Sequence, residues 1–92
     1  MKEIIKINKV FDNLTDLLTC INEQKPKEIK KEYNKQNLDD NGVQTEIIYT
    51  IEDNKGATHV FRITLQGEKF KLYYTSVGEY PEYVEDDLDL IL

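Results

Sequence analysis

Apolar and polar positions alternate most regularly between Val43 and Val77, and the rest of the chain is read around that stretch. Ile47, Tyr49 and Ile51 fall on one side of an extended segment, with Glu46, Ile48, Thr50 and Glu52 on the other. His59, Phe61, Ile63 and Leu65 alternate with Thr58, Val60, Arg62 and Thr64. Phe70, Leu72 and Tyr74 alternate with Lys69, Lys71, Tyr73 and Thr75. A period of two marks half-buried strands, and β-branched and aromatic residues suit a pleated surface. Asp53-Asn54-Lys55-Gly56 and Gln66-Gly67-Glu68 separate the segments, each with a glycine where a turn needs positive φ. Links this short force antiparallel neighbours. The stretch therefore predicts a three-stranded antiparallel β-meander with one apolar face, which something else must cover. The other face mixes Ile48, Val60 and Tyr73 with Arg62, Lys69, Lys71 and threonines.

Upstream the pattern changes. Ile4, Ile7, Phe11, Leu14, Leu18 and Ile21 recur at 3-4-3-4-3 spacing, and Val10 and Leu17 widen the stripe. That spacing predicts an amphipathic helix over about residues 2–24. The alternative is a strand over residues 2–10 and a helix that begins after Asp12 or Asn13, with Asn13 as cap and Asp16 three residues on. Lys25-Pro26 ends the element either way, because the residue before proline is pushed out of the α region. Residues 27–37, with only Ile29 and Tyr33 apolar, predict a second, charged and largely exposed helix supported by Glu–Lys pairs. Leu38-Asp39-Asp40-Asn41-Gly42 is a loop. The expected fold is thus α+β: an N-terminal amphipathic helix, possibly two helices, packed on a three-stranded antiparallel β-meander, with a C-terminal acidic helix or tail. Residues 1–92 form one domain, divided into a helical part (1–38), the meander (43–77) and an acidic segment (79–92).

Composition sharpens this in one place. The formal net charge of −6 resides in the last fourteen residues, which hold Glu79, Glu82, Glu85, Asp86, Asp87 and Asp89 and no lysine or arginine. A helix from Pro81 would put Tyr80, Val84, Leu88 and Ile91 on one face and Glu82, Glu85, Asp86 and Asp89 in a stripe on the opposite one. Acids near a helix C-terminus oppose the helix dipole by ~0.3–1 kcal/mol each, a repulsion that a basic partner would relieve. Four acids over eight helical positions give roughly one charge per 3 Å, close to the ~3.4 Å spacing along one DNA strand.

Chemistry beyond this is sparse. His59 is the only histidine and lies on the apolar side of a strand, the setting of a core-edge histidine bonded to backbone. Cys20 is the only cysteine, which excludes an internal disulfide and fits a reducing compartment. No second histidine supports a nucleophilic dyad, and four glycines form no phosphate-cradling motif. Asp39-Asp40-Asn41-Gly42 followed by Glu46 lacks the spacing of a calcium loop. No apolar run approaches the ~18–20 residues of a membrane span, and Met1 to Lys6 lacks the apolar core of a signal peptide.

The expected function is therefore that of a small, acidic, cytoplasmic protein that is not an enzyme and uses neither cofactor nor metal. It would bind a basic, nucleic-acid-handling protein, rather than nucleic acid or membrane, and inhibit it by occupying its groove as a DNA mimic. Phage anti-defence proteins, including anti-CRISPR proteins, supply the analogy for this strategy. The contact residues would be Glu79, Glu82, Glu85, Asp86, Asp87 and Asp89, with Tyr73, Tyr80 and Tyr83 as anchors. Alternatives are an immunity protein or antitoxin against a basic nuclease toxin, and a small structural or adaptor subunit. The chain would be a monomer or a homodimer through the N-terminal helix.

Overall fold

The computed structural model describes residues 3–78. They form β1 (Glu3–Phe11), α1 (Leu14–Gln24), β2 (Ile29–Leu38), β3 (Gln44–Asp53), β4 (Thr58–Gln66) and β5 (Lys69–Val77). The five strands make one antiparallel sheet in the order β1-β5-β4-β3-β2. The expected meander is present as β3, β4 and β5, but it is the middle of a larger sheet. The expected architecture of an N-terminal helix, or two helices, on a three-stranded meander is therefore corrected: residues 3–11 and 29–38 are edge strands, and one short helix remains.

The first correction has a geometric cause. Ile4 stands opposite Ser76 and Ile7 opposite Tyr74, and the register slips between Ile5 and Ile7. The extra residue, Lys6, is a β-bulge. It brings Ile4 and Ile7, three apart, to one face, and Phe11 follows at a further two strand periods. A bulged strand thus reproduces the i, i+3, i+7 spacing of a helix. The true helix begins where the alternative placed it. The Asn13 side chain accepts a hydrogen bond from the Asp16 N–H at 2.8 Å and donates to the Asp16 carboxylate at 3.0 Å. Lys25, with ψ of 140°, ends the helix ahead of Pro26. The seam imagined for a helical dimer is split between a strand and a helix.

The second correction concerns β2. Between Ile29 and Leu38 its side chains, Tyr33 apart, are polar on both faces, as suits an edge strand that must not recruit other chains. They pair across to β3: Asn37 Nδ2 donates to Glu46 Oε1 at 2.8 Å, and the Tyr33 hydroxyl donates to Glu52 at 3.2 Å. The Tyr49 hydroxyl likewise binds Glu32. The Glu–Lys spacing credited to a helix is the ordinary charge density of a solvated strand.

α1 carries the chain from the β1 edge to the β2 edge. Eleven residues at ~1.5 Å and the linkers on either side cover the ~19 Å between the edge strands β1 and β2. The helix buries Leu17 and Ile21 against Phe11, Ile51, Phe61, Ile63, Leu72 and Tyr74. Phe61 and Tyr74 stack at the centre, with ring centroids 4.2 Å apart and an interplanar angle of 11°. Leu14 and Leu18 remain about half exposed, so the helix covers the β1–β5–β4 side more fully than the β3–β2 side. Between α1 and β2 lies a shallow groove of about 310 Å³ floored by Ile47, Tyr49 and Ile63.

Candidate functional site: the outer sheet face

The face turned away from α1 is set by the register. One cross-strand row reads Lys35, Ile48, Arg62, Tyr73 and Asn8 from β2 to β1. A second row reads Asn37, Glu46, Thr64, Lys71 and Val10, and a third Tyr33, Thr50, Val60, Thr75 and Ile5. With Lys69 beyond one end and Lys31, Glu52, Thr58, Val77 and Glu3 at the other, this face carries five cations and three carboxylates.

Pairing within the face is partial. Arg62 meets Glu46 at 3.4 Å, both solvent-accessible, and Lys69 meets Asp12 at 3.4 Å at the margin. Contacts of this kind contribute ~0–1 kcal/mol each. Lys31, Lys35 and Lys71 have no ion-pair partner among the described residues. Around them the apolar surface is open: Ile5 is 59% exposed, Val10 45% and Tyr33 46%. Tyr73 sits half-buried in the middle, flanked by Arg62 and Asn8.

Tyr73 is the one expected contact residue inside the described region. Glu79, Tyr80, Glu82, Tyr83, Glu85, Asp86, Asp87 and Asp89, and with them the expected acidic helix or tail, lie outside the described residues. The contribution of β2 to the outer face, Lys31, Tyr33 and Lys35, was missed by expecting a helix there. Its signal was present as a Lys-Tyr-Lys alternation against Glu32, Asn34 and Gln36.

The other chemistry-bearing group is internal. His59, 7% exposed, places Nδ1 at 2.9 Å from the Tyr74 hydroxyl and Nε2 at 2.9 Å from Asp53 Oδ2. The partners are side chains, not the backbone groups expected. Asp53 Oδ1 also accepts from the N–H groups of Lys55 at 2.8 Å and Ala57 at 2.9 Å, while Gly56 takes φ of 90°. Burial pushes the Asp53 carboxyl up, but the hydrogen bonds from His59, Ala57 and Lys55 outweigh it and hold the group below its usual value. His59 thus bridges the Asp53 carboxylate and the Tyr74 hydroxyl through its two ring nitrogens. Both ring nitrogens are engaged, which ties the β3–β4 turn to β5.

Cys20 is half-buried against the core. Burial and Glu23 raise its thiol pKa against the pull of Lys9, so little thiolate is present at neutral pH. Asp39 Oδ1 accepts from the N–H groups of Asn41 at 2.8 Å and Val43 at 2.9 Å, so this carboxylate shapes the β2–β3 turn. Among the described residues no group of three His, Cys, Asp or Glu side chains is arranged to hold a metal ion. No helix among them is long and apolar enough to cross a membrane.

No known protein family, curated protein or solved structure matches this chain.

Proposed function

We propose that this protein is a small non-catalytic inhibitor that binds a basic, nucleic-acid-handling protein in the cytoplasm through the acids of residues 79–92. One observation carries the reading: the charge is segregated. Residues 3–78 hold eleven basic and twelve acidic side chains, a difference of −1, whereas residues 79–92 hold six acids and no base. A near-neutral sheet domain with its entire excess charge on one short segment is suited to present that segment to a cationic groove. Electrostatic complementarity of this kind speeds encounter and selects partners.

The test is affinity capture with the intact protein as bait, at about 150 mM salt, where exposed charges interact over only ~8 Å. The wild type is compared with the combined variant Glu82→Lys, Glu85→Lys, Asp86→Lys, Asp89→Lys, each with and without excess competitor DNA. The expected result is a basic nucleic-acid-handling protein that is captured by the wild type, lost on adding DNA and absent with the variant. A partner retained by the variant in the presence of DNA overturns the reading and points to an adaptor role through another surface.

A further inference from the structure

We infer that the outer sheet face is the contact between two copies of this chain, packed face to face about a two-fold axis that runs along β4. The contact is made by strand residues alone and stands with or without a partner for residues 79–92.

The register of the sheet points to a second copy. β4 is the middle strand of five. Turning a copy over about an axis along β4 reverses every cross-strand row, so that β2 lies on β1 of the copy and β3 on its β5. Reversal is also what a contact between identical patches requires, since each residue pair then occurs twice. The row Glu46, Thr64, Lys71 sets Lys71 opposite Glu46 of the second copy. The row at one end sets Lys31 opposite Glu3 of the second copy. Two of the cations with no ion-pair partner among the described residues thereby meet an acid.

The apolar positions match under the same operation. Ile5, the most exposed apolar side chain of the face, falls opposite Tyr33 of the second copy. Tyr73 falls opposite Ile48 of the second copy, and Val60 meets its own copy on the axis. Arg62 also meets its like, and each Arg62 keeps Glu46 of its own chain at 3.4 Å. Lys35 and Lys69 stay at the rim, where water reaches them. A two-fold axis laid across the strands through the Arg62 row instead sets both Lys35 and Arg62 on their own copies and pairs no acid with a base. Sheets stacked face to face cross at about −30°, so the match is closest over β3, β4 and β5 and loosens toward the edges.

The size of the face agrees. Five strands and about nine residues give a surface of roughly 24 by 30 Å, or about 700 Å² per copy. Two such faces bury about 1,400 Å², within the ~1,200–2,000 Å² of a stable protein contact. The assembled particle has four layers, with both sheets inside and the two α1 helices outside, so the face that α1 leaves open finds its cover in another sheet.

The Lys71–Glu46 contact gives a test that reads the register as well as the oligomeric state. Sedimentation equilibrium of the intact protein at up to about 200 µM, a range that covers micromolar affinity, is expected to show a dimer. Lys71→Glu and Glu46→Lys each put two like-charged pairs into the dimer and should each weaken it at least ~tenfold. Mixing the two variants makes a heterodimer in which both contacts again join opposite charges, so affinity should return to within about threefold of wild type. Native mass spectrometry counts that heterodimer by its mass. Val60→Asp, which brings two carboxylates together on the axis, should cause a comparable loss, and far-ultraviolet circular dichroism verifies that each variant is folded. A wild type that stays monomeric overturns the inference. So does a dimer that the folded variants leave intact, which assigns pairing to another surface, and so does a mixture that forms no heterodimer. Capture of a basic protein by residues 79–92 is a separate readout, so failure here leaves the proposed inhibitor role to its own test.

Discussion

Removing the Asp53 carboxylate should unlatch the β3–β4 turn, and the size of the loss follows from its three bonds. Two are to backbone N–H groups, of Lys55 at 2.8 Å and Ala57 at 2.9 Å, and the third is to His59 Nε2 at 2.9 Å. In Asp53→Ala, water can reach the exposed Lys55 N–H, and each lost turn bond costs about 0.5–1.5 kcal/mol. His59 is 7% exposed and has no such substitute, and a stranded buried donor costs ~1–3 kcal/mol. The expected loss is about 3–4 kcal/mol, a large part of the ~5–15 kcal/mol that holds a domain together. Asp53→Asn keeps an oxygen for the turn and lets His59 change tautomer, so it should cost only about 1–2 kcal/mol.

The pH dependence separates the charge from the shape. Because the folded carboxyl lies below its ordinary value, the unfolded chain binds the proton first on acidification. The wild-type advantage over Asp53→Asn is therefore full above the ordinary aspartate pKa near ~4, and it disappears as pH falls through the lower folded value. Urea unfolding followed by far-ultraviolet circular dichroism, from pH 7 down to pH 2.5, measures both effects. An Asp53→Ala variant within 1 kcal/mol of wild type, or an advantage over Asp53→Asn that grows on acidification, would refute the latch.

Other substitutions probe the core, the helix cap and the turn. Phe61→Ala empties the centre of the stack on Tyr74 and should cost ~3–5 kcal/mol, read from the urea midpoint. Tyr74→Phe keeps the stack but removes the hydroxyl at His59 Nδ1, for about 1–2 kcal/mol in the same assay. Asn13→Ala removes the cap of α1 and should lower stability by ~1 kcal/mol without altering the sheet signal. Gly56→Ala places a side chain at φ of 90° and should cost ~1–3 kcal/mol although nothing lies within 4 Å of the new carbon, so any loss reports backbone strain alone.

How much of this was legible depended on whether side-chain spacing had one structural solution. β3, β4 and β5 alternate strictly, and their glycine turns take positive φ at Gly56 and Gly67. There the pattern admits a single reading. In β1 the bulge at Lys6 makes strand and helix share a spacing, and Leu14, Leu18 and Ile21 then continue the same numerical series on a real helix. Only the β-branched Ile4, Ile5, Ile7 and Val10, and the cap pair Asn13–Asp16, distinguish the two. β2 was illegible for another reason. Its inward side, Glu32, Asn34 and Gln36, lies beyond the cover of α1, so no apolar alternation was selected there. The outer face followed in part: Tyr73, Arg62 and Lys71 were placed by alternation, whereas Tyr33 and Lys35 joined them only through tertiary pairing. The Asp53–His59–Tyr74 latch joins three strand positions whose meeting depends on register, which residue types alone do not specify.

The pairing of Glu3 with Val77 has a consequence for how the protein is made. β1 is synthesised well before β5, its one sheet neighbour among the described residues. At ~5–20 residues per second, translation leaves it waiting for about 4–15 s. During that interval an apolar ribbon of Ile4, Ile5, Ile7, Val10 and Phe11 is unsheltered, and Lys6 and Lys9 are the charges that discourage it from joining another nascent chain.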